Sequence, residues 1–102
     1  MEGGGYVYTI CNVSNSTLYT GVTSNLIVRI YQHKTKFLTN SFSARYNCNK
    51  LVYYEGFNQI EEAIKKERLL KAGNRMRKIK LIESLNSNWK DFYLDIVELG
   101  LD

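Results

Sequence analysis

No stretch of this 102-residue chain is apolar for anything near the roughly 18 residues that a membrane span requires. The amino-terminal Met1-Glu2-Gly3-Gly4-Gly5 has neither a basic start nor an apolar stretch, so no secretory signal is expected. Cysteine is scarce. Cys11 and Cys48 lie far apart and form no CxxC or Cys/His ligand spacing, so buried thiols in a reducing compartment are expected rather than a disulfide or a metal site. Repeats, low-complexity tracts and linkers are missing as well. What remains is a 44% hydrophobic, 24% charged composition, ordinary for a globular protein and unlike a disordered one. The expectation is one intracellular, cytoplasmic domain over residues 1–102 with a single core and no membrane partner.

Acidic residues are unevenly missing, and that unevenness is informative. The net charge is +4, but residues 1–82 hold 13 Lys/Arg against 5 acids and residues 83–102 hold 1 base against 5 acids. Between 65 and 80 stand Lys65, Lys66, Arg68, Lys71, Arg75, Arg77, Lys78 and Lys80, with Glu67 as the only acid. A solvated helix face usually mixes signs, so this run points to a polyanionic partner. Charge by itself does not separate nucleic acid from a membrane surface.

Local patterns give an α/β sandwich. The β-branched and aromatic run from Tyr6 to Val13 reads as a strand, Ser14-Asn15-Ser16 as a turn, and Leu18–Val22 as the returning strand. Thr23 or Ser24 is the expected cap of a helix over 25–37. The polar stretch 38–49 reads as a loop, and Lys50–Phe57 as a third strand. Asn58 is expected to cap a helix over 59–72 that Gly73 closes in a left-handed conformation. A helix over 75–85 follows, and Asn86-Ser87-Asn88 opens a last short one carrying Trp89, Phe92, Tyr93 and Ile96. The pattern makes a sheet of at least three strands covered by helices, with a core over 5–82 and an acidic helical extension over 83–102.

Two helices carry polar residues where their patterns call for apolar ones. Ile60, Ala63, Ile64 and Leu70 form the stripe of the helix at 59–72, and Glu67 lies about 20° from Ile60 on the helical wheel. A desolvated carboxylate needs a partner, either a metal ion or an Arg or Lys. On the helix at 25–37, Leu26, Ile30 and Phe37 define the apolar face; His33 falls within about 20° of Leu26, with Arg29 one turn before it. Tyr6, Tyr8 and Tyr19 on the hairpin complete a set of phenols, an arginine, a histidine and a carboxylate. Core packing explains each one singly; together they suit phosphodiester cleavage.

These residues resemble a known family. Tyr6-Val7-Tyr8 followed by Tyr19-Thr20-Gly21 is similar to the paired segments of the GIY-YIG nuclease superfamily. Arg29 ten residues after Tyr19, His33 four further on, and Glu67 on the next long helix continue the match. Within the superfamily the chain resembles the short, stand-alone bacterial members described as excision-repair-nuclease-like or predicted endonucleases. They share residues 18–24, 50–55, 67–71 and 78–82, so the resemblance runs over about residues 5–93. It implies a three-stranded antiparallel sheet flanked by helices, and DNA, structured or branched, as substrate in repair or processing. It also implies one Mg²⁺ or Mn²⁺ ion, with no small-molecule cofactor. Carried over, Tyr8 and Tyr19 are the paired tyrosines, Arg29 binds phosphate, His33 is the auxiliary histidine and Glu67 the metal ligand. Tyr6 replaces the family's first glycine, Thr20 the family's isoleucine, and neither Asn74 nor Asn86 stands at the spacing of its downstream asparagine.

The chemistry expected of such a site sets Tyr8 as acceptor of the attacking water's proton, helped by positive charge from Arg29, His33 and the metal. Lys71, Arg75 and Lys78 would hold the nucleic-acid backbone without reading its sequence. The rival readings are a nucleic-acid-binding module with weak or no catalysis, and an adaptor unrelated to nucleic acid.

Overall fold

Seven consecutive buried residues make β1 (Gly5–Cys11) the centre of the structure. The computed structural model describes residues 3–37 and 39–102; Met1, Glu2 and Leu38, the last in the loop expected over 38–49, lie outside the described residues. β1 pairs antiparallel with β2 (Leu18–Thr23) on one side and β3 (Lys50–Phe57) on the other, in the order β2-β1-β3. Successive side chains of a strand point to opposite faces. Tyr6, Tyr8 and Ile10 therefore join Leu26, Ile30, Cys48, Leu51 and Ile96 in one cluster. Val7 and Cys11 join Val52, Tyr53 and Ile82 in a second. The result is the expected three-stranded antiparallel sheet flanked by helices. Both cysteines are buried and free.

Among the described residues the helices are α1 (Leu26–Lys34), α2 (Phe42–Arg45), α3 (Ile60–Ala72), α4 (Arg75–Leu85) and α5 (Tyr93–Leu99). Several boundaries differ from the sequence expectation, each for a local reason. The cap of α1 is Asn25, whose side chain accepts from the Val28 amide, because Thr23 is engaged one step earlier with the Asn25 amide. α1 stops at Lys34, so Phe37 leaves the apolar face and is 68% exposed. The loop over 38–49 contains α2, started by the Ser41 side chain accepting from the Ala44 amide. Gln59, not Asn58, precedes α3, without a side-chain cap, and Gly73 has φ −73°, outside the left-handed region. The last helix begins at Tyr93, because Asn86 and Asp91 are spent on the edge of the sheet.

That edge determines where the carboxy-terminal segment goes. The β1–β3 register shifts between Thr9 and Ile10, leaving Val52 as an extra residue on β3, so Val52 and Tyr53 both pack in the second cluster. Asn86, 6% exposed, donates to the Val52 carbonyl at 3.1 Å and to the Lys90 carbonyl at 2.8 Å, and accepts from the Lys90 amide at 2.9 Å. Asp91 accepts from the Leu51 and Tyr93 amides, and the Phe92 amide donates to the Leu51 carbonyl. An open strand edge is thereby covered, and Ile96 is carried into the first cluster. Asn86→Ala strands several polar groups at once, at about 1–3 kcal/mol for each one left buried. Urea denaturation of Asn86→Ala is expected to show a loss of about 3 kcal/mol with an unchanged slope. A loss within about 0.5 kcal/mol, the scale of an ordinary surface substitution, would mean that water replaces the amide at the bulge.

Candidate active site

Tyr8 is the fixed point of the site because both of its strand neighbours are close. It stands opposite Gly21 on β2 and Tyr54 on β3 and is fully buried. Its ring lies over Gly21: a Cβ there would sit 2.6 Å from the Tyr8 hydroxyl oxygen and 3.2 Å from Tyr19 Cε2. The third residue of the Tyr19-Thr20-Gly21 segment is thus glycine for space, since nothing larger leaves room for the phenol. Thr20, buried in the β2 edge strand, bonds its hydroxyl to that of Thr9 at 2.9 Å.

α1 brings its two out-of-pattern residues to that phenol. His33 Nε2 is 2.8 Å from the Tyr8 hydroxyl, and Arg29 Nε donates to the same oxygen at a longer 3.4 Å. Arg29 also donates to the Gln32 side-chain carbonyl. Tyr19 closes the group, its ring centroid 6.4 Å from Tyr8 and 5.7 Å from His33. Beside these rings opens a cleft of about 210 Å³ lined by Tyr19, Arg29, Gln32, His33, Lys36, Ser41, Phe42 and Ser43. Its wall carries two cations and no carboxylate, and Tyr8 lies behind the lining.

Glu67 and the basic residues take separate places. Glu67 on α3 is close enough to raise the Tyr8 pKa through its charge, and its Oε2 is 3.3 Å from Lys71 Nζ. Lys71 Nζ also stands 6.0 Å from the Tyr19 ring centroid. The partner that Glu67 needs is therefore Lys71, although a half-exposed pair of this kind contributes little to stability. Arg75 donates through one nitrogen to the Asn15 and Ser16 carbonyls of the β1–β2 turn. Lys78 is half-buried on α4. Sequence had placed these three in one basic run; the fold separates a residue beside the tyrosines from a clip on the hairpin.

Among the described residues no group of three or more His, Cys, Asp or Glu side chains is gathered as a ready cage for a metal. The chemistry of the donor nevertheless fits a hard divalent cation: the Glu67 carboxylate, near enough to Tyr8 to act on it through its charge, is an oxygen ligand of the kind such an ion takes, with water and phosphate oxygens as the usual remainder. Ser43 was not singled out in the sequence. Its Oγ is 2.8 Å from His33 Nδ1, and it is 4% exposed. No periodicity marks it, because it reaches the site through the four-residue helix α2.

Electrostatics depart from the sequence expectation. Burial pushes the Tyr8 phenol up to about 12, against the lowering by its hydrogen bond from Arg29; Tyr19 and Glu67 add to the rise. Burial first, and then the Arg29 charge, hold His33 down to about 4. His33 is therefore neutral at pH 7 and supplies no positive charge, which corrects that part of the expectation. An unfolded histidine titrates near 6.5, so the unfolded chain binds more protons than the folded one between about 6.5 and 4. Stability is gained as pH rises through this window and lost as it falls. Calorimetry should show a steeper fall in Tm below pH 6.5 for the wild type than for His33→Gln, with parallel behaviour above pH 7. Identical pH dependence in the two proteins would mean that folded His33 is solvated and titrates freely.

Comparison with known proteins gives the family and the fold. A family model for the GIY-YIG catalytic domain matches residues 4–80. A UPF0213 protein of Staphylococcus haemolyticus is 35% identical over 82 residues, covering 76% of this chain and 93% of that one. A UPF0213 protein of Clostridium perfringens is 35% identical over 95 residues, covering 89% and 96%. The solution NMR structure of a UPF0213 protein from Bacillus halodurans superposes with a TM-score of 0.55 at 24% identity, over 86% of this chain and 92% of that one. The last likeness is one of fold.

Proposed function

The chain belongs to the GIY-YIG family, whose catalytic domain implies nuclease activity, and we propose that it is a divalent-metal-dependent nuclease that hydrolyses DNA phosphodiester bonds in repair or processing. The observation that carries this reading is the gathering of Tyr19, Arg29 and His33 on one cleft walled by cations and no acid, with the Tyr8 hydroxyl bonded to His33 and Arg29 just behind that wall. Such a wall favours a phosphate. Arg29 offers a planar fork to two phosphate oxygens. Its contact with Tyr8 is long and easily given up. When the guanidinium turns to the phosphate, the phenolic oxygen is uncovered to the attacking water, which Tyr19 orients from the cleft wall.

A standing phenolate at Tyr8 is too costly. With a pKa near 12 it would lie about 7 kcal/mol uphill at pH 7. Tyr8 instead takes the water's proton as it passes its own to His33 Nε2, 2.8 Å away. His33 is suited to this because it is neutral and has a nitrogen free to accept. Glu67 is the residue that would hold Mg²⁺ or Mn²⁺, and the ion would supply positive charge to the phosphate under attack. Lys71 and Lys78 bind backbone phosphates, and Arg75, tied through one nitrogen, keeps its charge for the same track.

A second reading, nucleic-acid binding without catalysis, is favoured by Lys71, whose ammonium already pairs with Glu67. A panel of labelled DNA structures with Mg²⁺, Mn²⁺ or EDTA separates the two. The wild type is expected to cut only with metal, and Glu67→Gln to bind DNA normally without cutting. Glu67→Gln cleaving like wild type at stoichiometric metal would sink the metal assignment, and binding with no cleavage under any condition would establish the second reading. Tyr8→Phe should slow turnover by roughly 10²-fold or more, the scale of lost general acid–base catalysis. Tyr6→Phe, buried in the same cluster without a hydroxyl bond to His33 or Arg29, should leave it nearly unchanged. Equal losses in the two variants, with folding checked by circular dichroism, would require the tyrosine roles to be reassigned.

A further inference from the structure

A hydroxyl sealed in a core must give its proton to an acceptor. Tyr8 is fully buried, and two polar side-chain atoms are within its reach: Arg29 Nε at 3.4 Å and His33 Nε2 at 2.8 Å. Arg29 can only donate. The acceptor is therefore His33 Nε2, which carries no proton. The ring is neutral, so its one proton is on Nδ1, and Nδ1 faces Ser43 Oγ at 2.8 Å. Ser43 accepts that proton's hydrogen bond and has its own proton to place; Ser41 Oγ is 3.2 Å away. His33, Ser43 and Ser41 all line the cleft, and each hydrogen bond in the row runs from the buried Tyr8 towards Ser41.

We propose that Ser43 is a positioning residue that locks His33 in its Nδ1-protonated tautomer, and that Tyr8, His33, Ser43 and Ser41 form a directed proton path from the buried phenol to the cleft. Its catalytic meaning rests on the reading of Tyr8 as the proton acceptor; the tautomer itself does not. In one turn of the path the attacking water's O–H breaks and a new Tyr8 O–H forms, while the old Tyr8 proton moves to His33 Nε2. The Nδ1 proton passes to Ser43 Oγ, the Ser43 proton to Ser41 Oγ, and the Ser41 proton to a cleft water. One proton enters and one leaves. The imidazole gains a proton on one nitrogen as it loses one from the other, so it never carries the charge that its buried site resists. His33 lines the cleft, so exchange with cleft water removes the proton from Nε2 and returns one to Nδ1, and rotation of the Tyr8, Ser43 and Ser41 hydroxyls restores the row.

His33 is the single histidine of the chain, so its ring nitrogens give unambiguous signals in a long-range ¹H–¹⁵N spectrum. The wild type is expected to show a protonated Nδ1 and an unprotonated Nε2 at pH 7. Ser43→Ala should shift the ring towards the Nε2-protonated form, and Ser43→Thr, which keeps a hydroxyl, should restore the wild-type signature. Cleavage should fall roughly 10–100-fold in Ser43→Ala, through kcat rather than KM, and recover in Ser43→Thr. An Nε2-protonated ring in the wild type overturns the proposal without any variant, so it stays testable even if Ser43→Ala fails to fold. An unchanged tautomer in a folded Ser43→Ala also overturns it. If the tautomers behave as expected but the wild type cuts no DNA, the nuclease reading fails and the Ser43 assignment stands.

Discussion

Burial of the Tyr8 hydroxyl is the constraint on which the site is built. A phenol without access to water must be bonded within the protein, and the imidazole of His33 is the group that meets it. That single bond fixes several other features. It sets how closely α1 approaches the sheet, and it requires Gly21 to lack a side chain where the ring crosses β2. It also requires something behind the imidazole to hold it, which α2 provides through Ser43. The same burial that orders the group makes its members poor acids and bases in isolation, with Tyr8 pushed up and His33 pushed down. Chemistry at such a site has to move protons between neighbours, because neither residue can hold a charge cheaply.

Much of this was legible in the sequence because it is local and periodic. Alternation along β1 put Tyr6 and Tyr8 on one face, and the hairpin returned Tyr19 to the same group. The four-residue spacing of Arg29 and His33 placed both on one side of α1, and both reach Tyr8. Glu67 stood out as a carboxylate in an apolar stripe; its charge reaches Tyr8, and Lys71 is its neighbour. Charged or polar residues that break a pattern proved the best guides, since a sequence that favours burial at that position must have a reason to tolerate them.

What was not legible depends on contacts between distant segments. Ser43 lies in a polar stretch that gives no periodic signal, and its role exists only because α2 packs behind α1. Val52 looks like any strand residue, yet the register shift makes it the extra one, and Asn86 answers its carbonyl from 34 positions away. Asp91 and Phe92 seal Leu51 in the same way. These residues read as a loop opening a helix, because Asn and Asp favour caps and turns. Here their amide and carboxylate reach the backbone of a strand instead. Local propensity named the right kind of bond and the wrong partner.

Charge shows the same limit more sharply. The run from Lys65 to Lys80 counts as one basic block in sequence, but helix geometry and the turn at Gly73 distribute it. Lys66 pairs with Glu55, Lys71 with Glu67, and Arg75 spends one nitrogen on the hairpin carbonyls. Lys71 then has two neighbours of opposite consequence. Against Glu67 it lowers the negative charge available to a cation, while over Tyr19 it adds positive potential to the wall where a phosphate would lie. A bound phosphate would compete with Glu67 for that ammonium and so release the carboxylate as the anion arrives. On the proposed reading cation and phosphate would be coupled through one lysine, because the residue that pairs with Glu67 is the same one that a nucleic acid would draw away.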